Sequence, residues 1–116
     1  MAKHNELGAE GENLAAEYIG LKGYVVLERN WRKSRKEIDI LAKDGDTLVV
    51  IEVKSRSSNR FGEPESFVKR EKQKNTIEAA NLYIEESGMD IETRFDIITV
   101  VKTNMGPEIN HIKDAF

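Results

Sequence analysis

The chain has no cysteine, which removes disulfides and thiolate metal ligands from its chemistry. It has no apolar stretch near the ~18 residues needed to cross a bilayer. Its first residues, MAKHNELGAEGE, are polar and have no apolar h-region of a secretory signal. We therefore expect an intracellular, cytoplasmic protein without a membrane partner. A phosphate-cradling glycine loop, a nucleophile elbow and a His-x-x-x-His pair are all missing. The two histidines, His4 and His111, are isolated in the sequence and read as surface residues.

An overall excess of positive charge is also lacking: the net charge is -3, which argues against a nonspecific nucleic-acid coat. The distribution is uneven, however. Between Arg29 and Lys74 lie 13 of the 18 Lys and Arg but 8 of the 21 Asp and Glu, so this stretch is +5 while the rest is -8. Such a middle segment either faces a phosphate backbone or is a set of solvated surface charges, and the run RNWRKSRK fits both readings.

At 116 residues the chain has the size of one domain, here residues 1–116. Leu7, Leu14, Ala15, Tyr18 and Ile19 recur at helical spacing, with Gly23 as a stop, and predict a helix over about 7–21. Glu12 lies at the margin of its apolar stripe, the place of a solvated glutamate or of a site residue. YVVLERNW reads as a strand. In it, Trp31, like Tyr24 at its start, suits core or rim packing as well as stacking on a base.

The segment EIDILAKDGDTLVVIEVK, residues 37–54, reads as a hairpin turning at Asp44-Gly45. Period-two alternation puts Ile38, Ile40 and Ala42 on one face and Val49, Ile51 and Val53 on one face of the next strand. Only a loop with an even number of residues joins these apolar faces, because an odd loop would flip one strand. The same register gathers Asp39, Glu52 and Lys54 on the opposite face, with Asp39 beside Glu52. Two adjacent carboxylates repel unless one is protonated or a cation lies between them. Either Glu52 pairs with Lys54 while Asp39 points into water, or a hard divalent cation is held by oxygen ligands.

After the turn-rich SSNRFGEP, a helix is expected from Pro64 or Glu65 to Ser87, stopped by Gly88. Its stripe Ile77, Ala80, Ile84 runs back to Gln73 and Lys69, so its first half either overhangs the core or turns polar toward the sheet. RFDIITVVK is apolar on both faces, as a central strand is, and EINHIK follows NMGP as an edge strand.

The order helix, three strands, helix, strand, with Asp39 on the second strand and Glu52-Val53-Lys54 on the third, resembles the PD-(D/E)XK superfamily of restriction endonuclease-like nucleases. The likeness is greater to the YraN-like family of bacterial proteins. It is carried by Gly8, Glu12, Gly23-Tyr24, Asn30, Glu37-Ile38-Asp39, Glu52-Val53-Lys54, Arg56, Phe61-Gly62, Lys72-Gln73 and Phe95-Asp96. Ile38 replaces the superfamily's proline, and Lys36 stands where the YraN-like pattern has glycine.

The resemblance implies an α/β restriction endonuclease-like core: a helix, a three-stranded meander, a helix and a strand, with a mixed sheet flanked by helices. It implies a Mg2+ or Mn2+ site at Asp39, Glu52 and the Val53 carbonyl. Lys54 would orient or help deprotonate the attacking water, Glu12 would add a carboxylate, and Gln73 would position the water or a phosphate. Arg29, Arg32, Lys33 and Arg35 would contact the nucleic-acid backbone, as would Arg56, Lys69 and Lys72. The expected function is a metal-dependent, resolvase-like endonuclease hydrolysing phosphodiester bonds in DNA, in repair or recombination, acting as a homodimer. A nuclease-fold module that binds nucleic acid without cutting is the alternative. An interaction protein whose carboxylates only structure the core is a third reading.

Overall fold

The computed structural model describes residues 3–57 and 69–116, with side chains from residue 8 onward in the first segment. The expected helix start at residues 64–65, the SSNRFGEP loop beyond Ser57, Phe61-Gly62 and the side chains of His4 and Leu7 lie outside the described residues. Helix α1 (Lys3–Leu21) leads into three antiparallel strands, β1 (Val25–Lys33), β2 (Lys36–Asp44) and β3 (Thr47–Arg56). Helix α2 (Arg70–Ser87) carries the chain across so that β4 (Glu92–Thr103) runs parallel to β3, and β5 (Gly106–Ile112) returns antiparallel at the edge. The result is a small α/β fold with a mixed sheet of order β1-β2-β3-β4-β5. Among the described residues no helix is long and apolar enough to cross a membrane.

The two helices cover opposite faces of the sheet. Ala15 and Ile19 of α1 pack on Ile40, Ala42, Val49, Ile51, Ile98 and Val100, while Ala79 and Ala80 of α2 pack on Leu41, Leu48 and Val50. This two-sided burial explains why β3 reads as a continuous apolar run. Each fully buried Val, Leu or Ile contributes about 1.5–3 kcal/mol of burial free energy. The β2–β3 loop is the two-residue turn Gly45-Asp46, between the paired Asp44 and Thr47, with Gly45 at φ 61. The even loop argued from burial is therefore present.

Three expectations are corrected. Ile38 does not share the face of Ile40 and Ala42; it joins the α2-side cluster with Leu41, because β1 and β2 both break their alternation at this level. Lys69 is not inside α2 but is its extended N-cap, at φ -72 and ψ 158. The buried stripe of α2 is Thr76, Ala79 and Ala80, and Ile77 is left 38% exposed. Ala80 and Ile84 of the expected stripe do belong to this contact, so Ile77 is the residue that departs from it.

His111 is a further correction, because its side chain is buried. Its Nε2 lies 2.7 Å from Oδ2 of Asp96, which is itself fully buried. Arg94 donates Nε to Asp96 Oδ1 and Nη2 to Oδ2, both at 2.9 Å, and the Asp114 N–H donates to Oδ1 at 3.2 Å. Arg94 Nη2 also reaches the Tyr24 hydroxyl at 2.8 Å. Burial alone would raise the Asp96 pKa, but bonds from His111, Arg94 and the Asp114 N–H together hold it below the usual carboxylate value. This cluster ties β4, β5 and the C-terminal residues together.

Replacing Asp96 with Asn leaves Arg94 with the more exposed Asp44, 3.3 Å away, as its remaining counter-charge and should cost about 3 kcal/mol in urea denaturation at pH 7. Because the folded pKa is depressed, the contribution is present above the unfolded value of about 4 and lost as pH falls below it. The difference between wild type and Asp96→Asn should therefore shrink on acidification. A loss under about 1 kcal/mol at pH 7 would show that the charge is not what joins these elements.

Candidate metal centre and its cationic rim

The β2–β3 ladder is paired as far as Ile40 and Ile51. One step further, where register would set Asp39 opposite Glu52, the Asp39 carboxylate replaces the strand: the Val53 N–H donates to its Oδ2 at 2.9 Å. Asp39 thus occupies the gap between two diverging strands, bound to main chain on one side and facing a cavity of about 830 Å³ on the other. Glu12, Glu52, Val53 and Lys54 line the same cavity. Four of the residues expected to act together are in one place, along with the Val53 main chain.

Glu52 comes from the buried middle of β3 and is only 4% exposed. A lysine stands near each of its oxygens, Lys54 Nζ at 3.7 Å from Oε2 and Lys72 Nζ at 3.9 Å from Oε1. The pairing of Lys54 with Glu52 is present, yet Asp39 does not point away into water. Glu12 arrives from α1, which lies so close to β3 that a side chain at Gly11 would run into Ser55. Its Oε1 is buried with no hydrogen-bond partner, and the nearest cation, Arg29 Nη2, is 3.8 Å away.

Electrostatics at this centre are the reverse of those around Asp96. Burial and then the charge of Asp39 push Glu52 up to about 7, against the pull of Lys72 and Lys54. Asp39 is raised by burial, partly offset by the Val53 N–H and by Lys72. Glu12 is raised by burial and then by Asp39, partly offset by Arg29 and by a hydrogen bond from Asn30. The charge of Asp39 thus weighs against ionisation of both Glu52 and Glu12. Among the described residues, no three acidic or histidine side chains stand close enough together to hold a metal as a set. The residues that could hold a hard cation are the Asp39 and Glu52 carboxylates and the Val53 carbonyl, all oxygen donors on residues that line the cavity together with Glu12.

Gln73 is half-buried in the first turn of α2 and is not among the described residues lining the cavity. The buried stripe runs back from Thr76 to Lys72, whose carbonyl accepts the Thr76 hydroxyl at 2.9 Å and whose Nζ lies beside Glu52. The expected backbone-contact residues separate into two groups. Arg56, Lys69 and Lys72 line the main cavity. Arg29 and Arg32 line an adjoining cavity of about 630 Å³ that shares Gly8 and Glu12 with the first. Lys33 and Arg35 belong to the β1–β2 turn, where Lys33 pairs with Glu86 of α2 and Arg35 is exposed. Arg32 bonds Glu37 at 3.1 Å and Arg29 bonds Asn13 at 2.7 Å, so much of the hairpin's charge is matched within the chain. Sequence reasoning had given no role to Asn30, Glu37, Ser55 or Asn75, all of which line these cavities. For Asn30 a sign was present, since Asn in a strand is a residue suited to left-handed backbone.

A family model described as "Uncharacterised protein family UPF0102" matches residues 11–100. The chain belongs to the UPF0102 family. A UPF0102 protein of Christiangramia forsetii is 51% identical over 116 residues, covering 100% of this chain and 98% of the relative. UPF0102 proteins of Bacteroides thetaiotaomicron and Flavobacterium psychrophilum are each 47% identical over 116 residues, covering 100% of this chain and 96% and 98% of the relatives. The span matched by the UPF0102 model includes Glu12, Asp39, Glu52, Lys54 and Lys72 and ends within β4.

Since the folded pKa of Glu52 is raised, its contribution to stability is greatest below the unfolded value near 4.5 and is lost as pH rises through about 7. In chelator, Glu52→Gln should be more stable than wild type at pH 8, by on the order of 2 kcal/mol, and should remove most of the stability change between pH 5 and 8. Urea denaturation across that range measures it. A variant less stable than wild type at pH 8 would contradict this electrostatic picture.

Proposed function

We propose that this protein is a metal-dependent endonuclease of the PD-(D/E)XK, restriction endonuclease-like superfamily, hydrolysing phosphodiester bonds in DNA. The observation that carries the reading is the convergence of Asp39, Glu52 and Lys54 on one cavity, beside the buried, unpartnered Oε1 of Glu12. Buried carboxylates set side by side, as Asp39 and Glu52 are, gain from a divalent cation, and Asp39, Glu52 and the Val53 carbonyl are the residues that would hold Mg2+ or Mn2+. When bound, such an ion polarises the phosphoryl group and lowers the pKa of water.

The chain's own residues supply the rest. Lys54, held by Glu52, presents an ammonium group where the attacking water must be oriented and where negative charge grows as the bond breaks. Lys72 and Lys69 stand on the α2 side of the same cavity, placed to take the flanking phosphates. Arg29 and Arg32 extend the cationic track past Glu12 along β1, so the backbone of a strand can continue on both sides of the carboxylates. That continuity favours cutting within a strand. A resolvase-like enzyme working as a symmetric homodimer on branched DNA in repair or recombination belongs to this reading.

A second reading, binding without cutting, is favoured by Lys54 and Lys72 both lying beside Glu52, where they can serve as its counter-charges rather than act on a substrate. One experiment separates the two. Labelled duplex, single strand, flap and four-way junction are incubated with Mg2+ or Mn2+ and with wild type, Asp39→Asn or Lys54→Ala. Cutting by wild type, reduced at least a hundredfold in both variants, is expected. Retained gel-shift binding with no cutting of any substrate would support the second reading instead.

A further inference from the structure

Asn30 lies in the middle of β1, yet its φ is 52, the left-handed region that a strand residue does not normally enter. The conformation is strained even for asparagine, which tolerates it better than most residues. Its consequences are visible on both sides of the strand. Arg29 and Trp31 should share a face by alternation, but Arg29 reaches Asn13 on α1 while Trp31 packs edge-on to Tyr83 of α2, with centroids 5.4 Å apart. The β1–β2 ladder pairs Arg29 with Ile40 and Trp31 with Ile38 but omits Asn30 and Asp39 between them. On β2 the faces change at the same level, Ile40 toward α1 and Ile38 toward α2.

Regular alternation would place the Trp31 and Ile38 side chains on the α1 side, beside Glu12. That side instead holds the cavity of about 630 Å³ lined by Glu12, Arg29 and Asn30. Asn30 and Glu12 line that cavity together, and Oε1 of Glu12 is buried there without a hydrogen-bond partner among the described residues, within reach of a neighbouring amide.

We propose that Asn30 is a positioning residue of the candidate centre: its left-handed backbone turns Trp31 and Ile38 away to open space beside Glu12, and its amide holds the Glu12 carboxylate in that space. The catalytic meaning of this rests on the cation-site reading above, whereas the positioning itself is a property of the metal-free chain.

Three measurements on the full chain test it. Trp31 is the only tryptophan, so its fluorescence reports which way β1 faces after residue 30. Asn30→Gly retains the backbone freedom and loses the amide; Asn30→Val loses both, since a β-branched residue disfavours this conformation. We expect wild-type Trp31 emission in Asn30→Gly and a red shift in Asn30→Val. The second measurement is the side-chain amide resonance of Asn30 in the metal-free protein, which should move on Glu12→Gln. The third is Mn2+ affinity by calorimetry, expected to fall about fivefold in Asn30→Gly, the equivalent of one ordinary hydrogen bond, with Trp31 emission unchanged. Unchanged Trp31 emission in Asn30→Val, an amide resonance indifferent to Glu12→Gln, or undiminished Mn2+ affinity in Asn30→Gly would each overturn the proposal. A wild-type chain that binds no Mn2+ would instead sink the cation-site reading, and the two metal-free measurements would still decide the role of Asn30.

Discussion

The hydrogen bond from the Val53 N–H to the Asp39 carboxylate is the interaction on which the candidate centre depends. It is made where a strand pair would otherwise continue, so it satisfies a main-chain donor that divergence of β2 from β3 leaves open. It also fixes a carboxylate between two strands whose inner residues are buried from both faces. Everything nearby follows from that placement. Glu52 is kept dry by the sheet it belongs to, Lys54 follows two residues later on the same side, and α1 lies against β3 closely enough to bring Glu12 to the cavity.

Two groups of buried charge in one small fold behave in opposite ways. Around Asp96, four hydrogen-bond donors from three side-chain and main-chain sources surround one carboxylate, and its pKa is lowered. Such a network joins elements and gains nothing from a further ligand. Around Glu52, the nearest ammonium groups stay at 3.7 and 3.9 Å, and desolvation with a neighbouring carboxylate raises the pKa to about 7. The first arrangement is satisfied within the chain; the second is left short of positive charge, which is the physical basis for expecting a cation.

Much of this was legible in the sequence because burial constrains it strongly. The parity of the β2–β3 loop followed from two apolar faces that had to meet, and with it the meeting of Asp39, Glu52 and Lys54. The interior place of β4 in the sheet followed from its being apolar on both faces. The errors arose where local pattern and tertiary contact part. Ile38 alternates correctly on paper, but a left-handed residue on the neighbouring strand moves it to the other face. The α2 stripe was read through Ile77, which is 38% exposed, whereas Thr76, Ala79 and Ala80 are the buried residues with Ile84 packed beside them. His111 read as surface because its partner, Asp96, is 15 residues away and meets it only through strand pairing.

The central claim, that Asp39 and Glu52 form a carboxylate pair awaiting a divalent cation, is tested most directly by calorimetric titration with Mn2+ of wild type, Asp39→Asn and Glu52→Gln. The account predicts one site per chain in the wild type and an affinity at least tenfold weaker in each variant. Equal Mn2+ binding by all three proteins, or none by the wild type, would contradict it.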